Sequence, residues 1–169
     1  SATAYNNRGN AYYNLKEYRK AIADFDKAIE FERRYAGAYN SRGKAHYNLK
    51  EYDKAIADFD KAIEYNPGNA SAYNNRGDAY YDLEEYAKAI EDYTKAIGLD
   101  PKYAVAYSNR GISYGNLKQY EKAIADFTKA IELNPRYILA YNNRGACYQA
   151  LGETAKAQAD FDKAKSLRG

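Results

Sequence analysis

Five arginines recur every 34 residues, Arg8, Arg42, Arg76, Arg110 and Arg144, and each is followed sixteen residues later by an aspartate: Asp24, Asp58, Asp92, Asp126 and Asp160. Guanidinium and carboxylate at a constant spacing can neutralise each other through paired charge-assisted hydrogen bonds, or the arginines can form a row that takes phosphates. The arginines share a face with alanine and tyrosine, where a lone charge is costly. All five pairs are intact, so an ion pair inside the fold is the expected role. A second polar series is Asn7, Asn75, Asn109 and Asn143, with Ser41 in the remaining slot. A carboxamide both donates and accepts, so such a column can pair with the backbone of an extended chain. Aspartates flanking an aromatic, as in Asp24-Phe25-Asp26, are carboxylate pairs, but the second member is expected on a solvated face beside Lys27.

The single histidine, His46, stands where the first repeat has Tyr12 and reads as a packed, half-buried residue. The single cysteine, Cys147, stands in the slot of Ala11, Ala45 and Ala79 and reads as a small buried hydrophobe. They lie three repeats apart, roughly 30 Å if each repeat advances a helix-packing distance of ~10 Å, too far for a nucleophile–base pair. No spacing for metal ligands or a phosphate loop is present. The expectation is a chain with no catalytic residues, no metal and no cofactor.

Composition narrows the class further. Charged residues make up 29% of 169 and the net charge is +3, which points to neither nucleic acid nor an acidic partner. No apolar run approaches the ~20 residues of a membrane span. There are 21 tyrosines and no methionine, which suggests a chain processed or excised from a longer one. Asn69-Ala70-Ser71 spells a glycosylation acceptor that, without a secretory signal, is given no weight. One cysteine assigns no compartment; the cytoplasm is the working expectation.

The elements that must position these residues follow from the period. In the first part of each repeat, Ala4, Tyr5, Arg8, Ala11, Tyr12 and Leu15 fall on one face at helical spacing. In the second, Tyr18, Ala21, Ile22, Phe25, Ala28 and Ile29 do the same. "LKEY" between them is a tight turn. Asn66-Pro67, Asp100-Pro101 and Asn134-Pro135 end the second helices, because proline cannot continue a helix; repeat one has Arg33 there, so its boundary is expected to be less sharp. Gly9, Gly43, Gly77, Gly111 and Gly145 each cost a helix ~1 kcal/mol relative to alanine, which close approach of the two helices of a repeat would offset. Residues midway along two hairpin-linked helices face each other, which places each Arg–Asp pair between them.

Tyr5-x-x-Arg8-Gly9-x-x-Tyr12, then Ala21-x-x-x-Phe25, then a proline slot, resembles the tetratricopeptide repeat across essentially the whole chain. Tyrosine stands where that family often has tryptophan, and arginine where it often has leucine. The resemblance implies an all-α fold, a right-handed superhelical α-solenoid of antiparallel helix pairs whose first helices line a concave groove. Such proteins bind proteins or peptides and are not usually catalysts. The expected organisation is one array over 1–169, with repeats at about 2–35, 36–69, 70–103, 104–137 and 138–169. In the last helix Gln158 and Lys165 replace the isoleucines of earlier repeats, as a terminal cap would require. The first repeat lacks such a device, so either the chain extends before Ser1 or another surface covers it.

If that geometry holds, the groove is lined by Asn6, Asn7, Asn10 and Tyr13 in repeat one; Asn40, Lys44 and Tyr47 in repeat two; Asn74, Asn75, Asp78 and Tyr81 in repeat three; Asn109 and Ile112 in repeat four; and Asn142 and Asn143 in repeat five. The asparagine column is similar to the ladders with which some tetratricopeptide superhelices hold extended substrates. Tyr13, Tyr47 and Tyr81 add amphipathic surface, and the column stays open at Gly115. Lys44, opposed by Asp78 and Asp82, is too little positive charge to clamp an acidic tail. Val105, Ile112, Leu139 and Ala146 make the last two repeats more apolar. The expected function is a scaffold for an extended peptide or protein segment. Self-assembly through the first repeat is the alternative, and no nucleic acid or membrane partner is expected.

Overall fold

The computed structural model describes residues 1–168 of the 169; the last repeat's expected end, at residue 169, lies outside the described residues. The described residues form ten helices and no strand: α1 (Ala2–Asn14), α2 (Tyr18–Phe31), α3 (Ala36–Asn48), α4 (Tyr52–Tyr65), α5 (Ala70–Asp82), α6 (Tyr86–Leu99), α7 (Ala104–Asn116), α8 (Tyr120–Leu133), α9 (Ile138–Ala150) and α10 (Thr154–Ser166). They fall into two bodies, Ser1–Glu84 and a second beginning at Glu85. In the first, α1 pairs with α2 and α3 with α4, and α5 packs on α4; in the second, α6 packs on α7, and α7 pairs with α8 and α9 with α10.

The pairs run antiparallel because a three-residue turn joins them. Tyr13, near the end of α1, meets Tyr18 at the start of α2 with ring centroids 5.4 Å apart, while Tyr5 near its start stacks on Phe31 at 5.6 Å. The turn is a left-handed helix cap. Lys16 has φ 60° and donates its backbone N–H to the Tyr13 carbonyl, and Glu17 donates to the Tyr12 carbonyl, which satisfies two otherwise orphaned acceptors. Lys50, Glu84 and Lys118 repeat this φ, and Gly152 supplies it in the fifth repeat.

Each second helix buries a stripe. Ala21, Phe25 and Ala28 are fully buried, as are Ala55, Phe59 and Ala62, and Ala123, Phe127 and Ala130 nearly so. The first helices answer with glycine. A Cβ on Gly9 would lie 2.6 Å from the ring of Phe25, one on Gly43 2.6 Å from Phe59, one on Gly111 2.9 Å from Phe127 and one on Gly145 2.7 Å from Phe161. Glycine is therefore the only residue these hairpins accept without a shift.

Two sequence expectations need correction. Ala4, Ala11 and Leu15 of the first apolar face are exposed, whereas their counterparts Ala38 and Ala45 are fully buried, because α1 packs only on α2 and α3. The first repeat ends as sharply as the others. Phe31 is the counterpart of Tyr65, and Glu32 donates to Ala28 as Asn66 does to Ala62, so the extended cap, rather than proline, stops the helix. The proline-bearing loops add a local lock: Asn66, Asp100 and Asn134 accept from the backbone N–H two residues on. Gln158 and Lys165 are exposed.

Candidate ligand-binding groove

The arginine series shows how the first helices are held. Arg8 bonds Asp24 through Nε and Nη2 at 2.6 and 2.7 Å, Arg42 bonds Asp58 at 2.9 and 2.6 Å, Arg110 bonds Asp126 at 2.8 and 2.8 Å, and Arg144 bonds Asp160 at 2.8 and 2.7 Å. These are fork-on-fork pairs with the aspartates buried. Arg76 and Asp92 belong to different bodies. Hydrogen bonding to Asp126 and Asp160 is the main influence raising the pKa values of Arg110 and Arg144 against the cost of burial. Each guanidinium also lies 5.4–5.8 Å from the ring of the tyrosine one turn earlier: Tyr5, Tyr39, Tyr107 or Tyr141.

The fork has a third prong that the sequence reading missed. Arg42 Nη1 donates to Asp26 at 2.6 Å, Arg76 to Asp60 at 2.6 Å, Arg110 to Thr94 at 3.0 Å and Arg144 to Thr128 at 3.0 Å. Asp26, on a solvated face as expected with its side chain 47% exposed, also ties the first repeat to the second. The signal was present: an acceptor stands sixteen residues before each of these arginines as well as sixteen after.

His46 is half-buried, as expected. Its Nδ1 lies 2.6 Å from Glu51, which also meets Arg19 at 2.9 Å. The histidine hydrogen bond is the main reason the Glu51 carboxyl sits below its ordinary pKa. Cys147 is 6% exposed, and burial pushes its thiol up. No group of side chains suited to a metal occurs among the described residues.

In the first body a cleft of about 270 Å³ brings together Tyr13, Lys44, Tyr47, Asn48, Asn75 and Asp78. Tyr13, Lys44, Tyr47, Asn75 and Asp78 belong to the groove set read from the sequence. Lys44 Nζ sits 4.9 Å from the Tyr13 ring centroid, and Asn48 donates from its amide to the Tyr13 hydroxyl at 2.9 Å. Tyr47 packs on Tyr52 at 5.6 Å; burial first, then hydrogen bonding to Asp82, holds its hydroxyl protonated well above the usual range.

The asparagines divide. Asn74 is buried and donates to Asp78 at 3.2 Å. Asn75 donates to Asn40 of the preceding repeat at 3.1 Å and to Ser71 at 3.4 Å. Asn6 is buried. Asn7 is exposed, while Asn10, Tyr81, Asn109, Ile112, Asn142 and Asn143 are half-buried. In the second body Ile112 and Asn143 meet at a separate pocket of about 300 Å³ with Gly115, Tyr120, Ala146 and Ala150. Tyr120 escaped the sequence reading because it starts a second helix, although tyrosine recurs at 18, 52, 86 and 120.

Helix hairpins repeated at a fixed period, each tied to the next through the first helix, define an α-solenoid, a class whose stability is built from nearest neighbours. Models of the tetratricopeptide repeat match residues 2–35 and 104–137, residues 40–104 and residues 127–159. The chain belongs to the tetratricopeptide repeat family, and its fold is that of a protein-interaction scaffold. No curated protein matches the sequence. Among solved structures, one of MamA is 26% identical with a TM-score of 0.87, covering 95% of this chain and 94% of that one. YrrB, described as a tetratricopeptide protein with an unusual peptide-binding site, is 26% identical with a TM-score of 0.80, covering 99% and 86%. MamA from Desulfovibrio magneticus RS-1 shares the fold at 23% identity, TM-score 0.89, covering 99% and 94%. Among the described residues no helix is long and apolar enough to cross a membrane.

Proposed function

We propose that this chain is a non-catalytic scaffold that holds an extended peptide or protein segment against its first helices. The observation that carries the reading is the cleft among Tyr13, Lys44, Tyr47, Asn75 and Asp78. It offers tyrosine rings, amide groups and one charge of each sign on adjacent repeats, the mix that recognises backbone and neutral side chains. A peptide-binding site in YrrB supports the same use of the fold. Asn7, Asn109 and Asn143 are the candidates for pairing with the ligand backbone, and Asn75 combines that role with its bond to Asn40.

The test is a peptide library screened against the parent and against a variant with Asn7, Asn75, Asn109 and Asn143 all changed to alanine, with Asn40→Ala as control for the internal bond. Binders lost on the fourfold variant and kept on Asn40→Ala are expected. Binders retained by the fourfold variant would overturn the asparagine reading. Self-association through the first repeat is the competing reading, favoured by Phe31 and Leu15, which are 64% and 68% exposed. Sedimentation over a concentration series decides it, since a strict monomer at high concentration rules it out.

A further inference from the structure

The pocket of the second body stands on positions that hold a packed ring in the first body. In repeats one and two that ring is Tyr13. Its ring packs edge-on with Tyr18 at 5.4 Å, the ammonium of Lys44 lies over its face at 4.9 Å, and Asn48 donates to its hydroxyl at 2.9 Å. Adding 102 to each number gives the corresponding residues of repeats four and five. Tyr13 becomes Gly115, Tyr18 becomes Tyr120, Lys44 becomes Ala146 and Asn48 becomes Ala150. All four line the pocket of the second body. The ring is gone, the charge over its face is gone, and the amide that met its hydroxyl is gone, while the tyrosine that met its edge remains. A Cβ built on Gly115 meets nothing within 4 Å, so the space of the absent ring is open rather than refilled by neighbours.

We propose that this pocket is a binding site for an uncharged, apolar aromatic side chain of the phenylalanine type, presented by the bound segment. The inference rests on the extended-peptide reading and names what the segment must carry. Tyr120 supplies the edge-to-face contact that Tyr18 gives Tyr13, a geometry favoured between aromatic rings. Ile112, Ala146 and Ala150 supply apolar walls, and none of the lining residues is ionised, so a charged side chain gains no partner and loses water. A phenol ring is disfavoured because the position of its former partner, Asn48, is taken by Ala150, leaving the hydroxyl without the bond it makes in the first body. The pocket also explains why repeat four alone among the first four gives up its tyrosine: Tyr13, Tyr47 and Tyr81 fill their own slots, and Gly115 leaves one for the ligand.

The probe is N-acetyl-phenylalanine amide, with N-acetyl-tyrosine amide and N-acetyl-alanine amide beside it, followed by methyl signals of Ile112, Ala146 and Ala150 in NMR titrations. Saturable shifts with the phenylalanine probe are expected, with several-fold weaker binding of the tyrosine probe and none of the alanine probe. The Gly115→Tyr variant refills the slot with the chain's own ring, and its open Cβ position makes it compatible with folding, which circular dichroism verifies. At least tenfold weaker binding of the phenylalanine probe is expected there. Ala150→Asn restores the amide and is expected to close the gap between the two aromatic probes. Equal affinity of Gly115→Tyr and the parent, or equal shifts with the alanine probe, would overturn the proposal. Peptides selected on the parent separate this inference from the reading beneath it. Peptides that bind Gly115→Tyr as tightly as the parent but fail on the fourfold asparagine variant leave the groove standing and remove the pocket. Occupancy by the phenylalanine probe with no extended peptide bound by any variant keeps the pocket and removes the groove.

Discussion

Replacing Arg110 by alanine tests whether the buried fork pairs hold the hairpins together. Asp126 accepts two hydrogen bonds from Arg110 at 2.8 Å, and its side chain is 8% exposed, that of Arg110 17%. Removing one partner of such a pair costs about 3–5 kcal/mol because the other charge stays buried. The Thr94 bond at 3.0 Å adds roughly 1 kcal/mol, while water entering the space left by the side chain returns part of both. About 3 kcal/mol is the expected net loss. For a chain of this size a change of 1 kcal/mol moves Tm by about 2–4 °C, so Tm should fall by about 6–12 °C. The assay is thermal and urea unfolding by far-UV circular dichroism, with amide exchange locating the loss in α7 and α8, since repeat arrays open locally. The double variant Arg110→Leu with Asp126→Leu removes both charges at similar volume and is expected to return to within about 1 kcal/mol of the parent. Arg110→Ala with the parent's Tm would refute the reasoning. So would a double variant as unstable as the single, because the loss would then be packing rather than an uncompensated carboxylate.

Gly43→Ala should destabilise by about 1–2 kcal/mol in urea titrations, because a Cβ 2.6 Å from the Phe59 ring overpacks the hairpin by more than alanine gains in the helix; Phe59→Leu in the same chain should recover part of it. Lys118, at φ 57°, holds a left-handed turn, so Lys118→Gly should raise stability by about 0.5 kcal/mol, the strain relieved less the added freedom of the unfolded chain. Glu51 has a folded pKa below its ordinary 4.5, chiefly through His46. Its contribution is present above that ordinary value and is lost as pH falls through the folded one, so Tm of the parent should drop more steeply than that of Glu51→Gln on acidification below about 4.5. Cys147, buried with its thiol pushed up, should react with iodoacetamide far more slowly than the denatured chain at the same pH.

Much of the fold was legible because a repeated sequence states each rule five times. The helix hairpin, the Gly–Phe contact and the Arg–Asp pair all depend on residues within one repeat, where spacing along the chain translates directly into position on two facing helices. What escaped depends on how one repeat is staggered against the next. The bond from Arg42 to Asp26 and that from Asn75 to Asn40 join residues whose alignment is set by that stagger. The left-handed turns at Lys16, Lys50, Glu84 and Lys118 were hidden for another reason. The turn geometry is imposed by the caps on both sides, and only Gly152 announces it by residue type. In the groove, the sequence named the residues of the first cleft but treated Asn6, Asn74 and Asn75 alike. Burial of the first two and the internal bond of the third separate them.

The division of labour between charge and packing explains how the groove is free to vary. The buried stripe of the second helices is mainly alanine around one phenylalanine or tyrosine, Phe25, Phe59, Tyr93 or Phe127, a modest apolar content. Arg42, Arg110 and Arg144 each reach the second helix of their own repeat and that of the one before. One side chain on the first helix thus sets both the hairpin and its junction. Buried ion pairs contribute little net stability but penalise any arrangement that separates them, so they favour one register. With register held by the forks, the groove face of the first helices can exchange residues between repeats, which is where Tyr13 gives way to Gly115, Lys44 to Ala146 and Asn48 to Ala150. Those exchanges alter what the surface recognises and leave the fork pairs of both bodies intact.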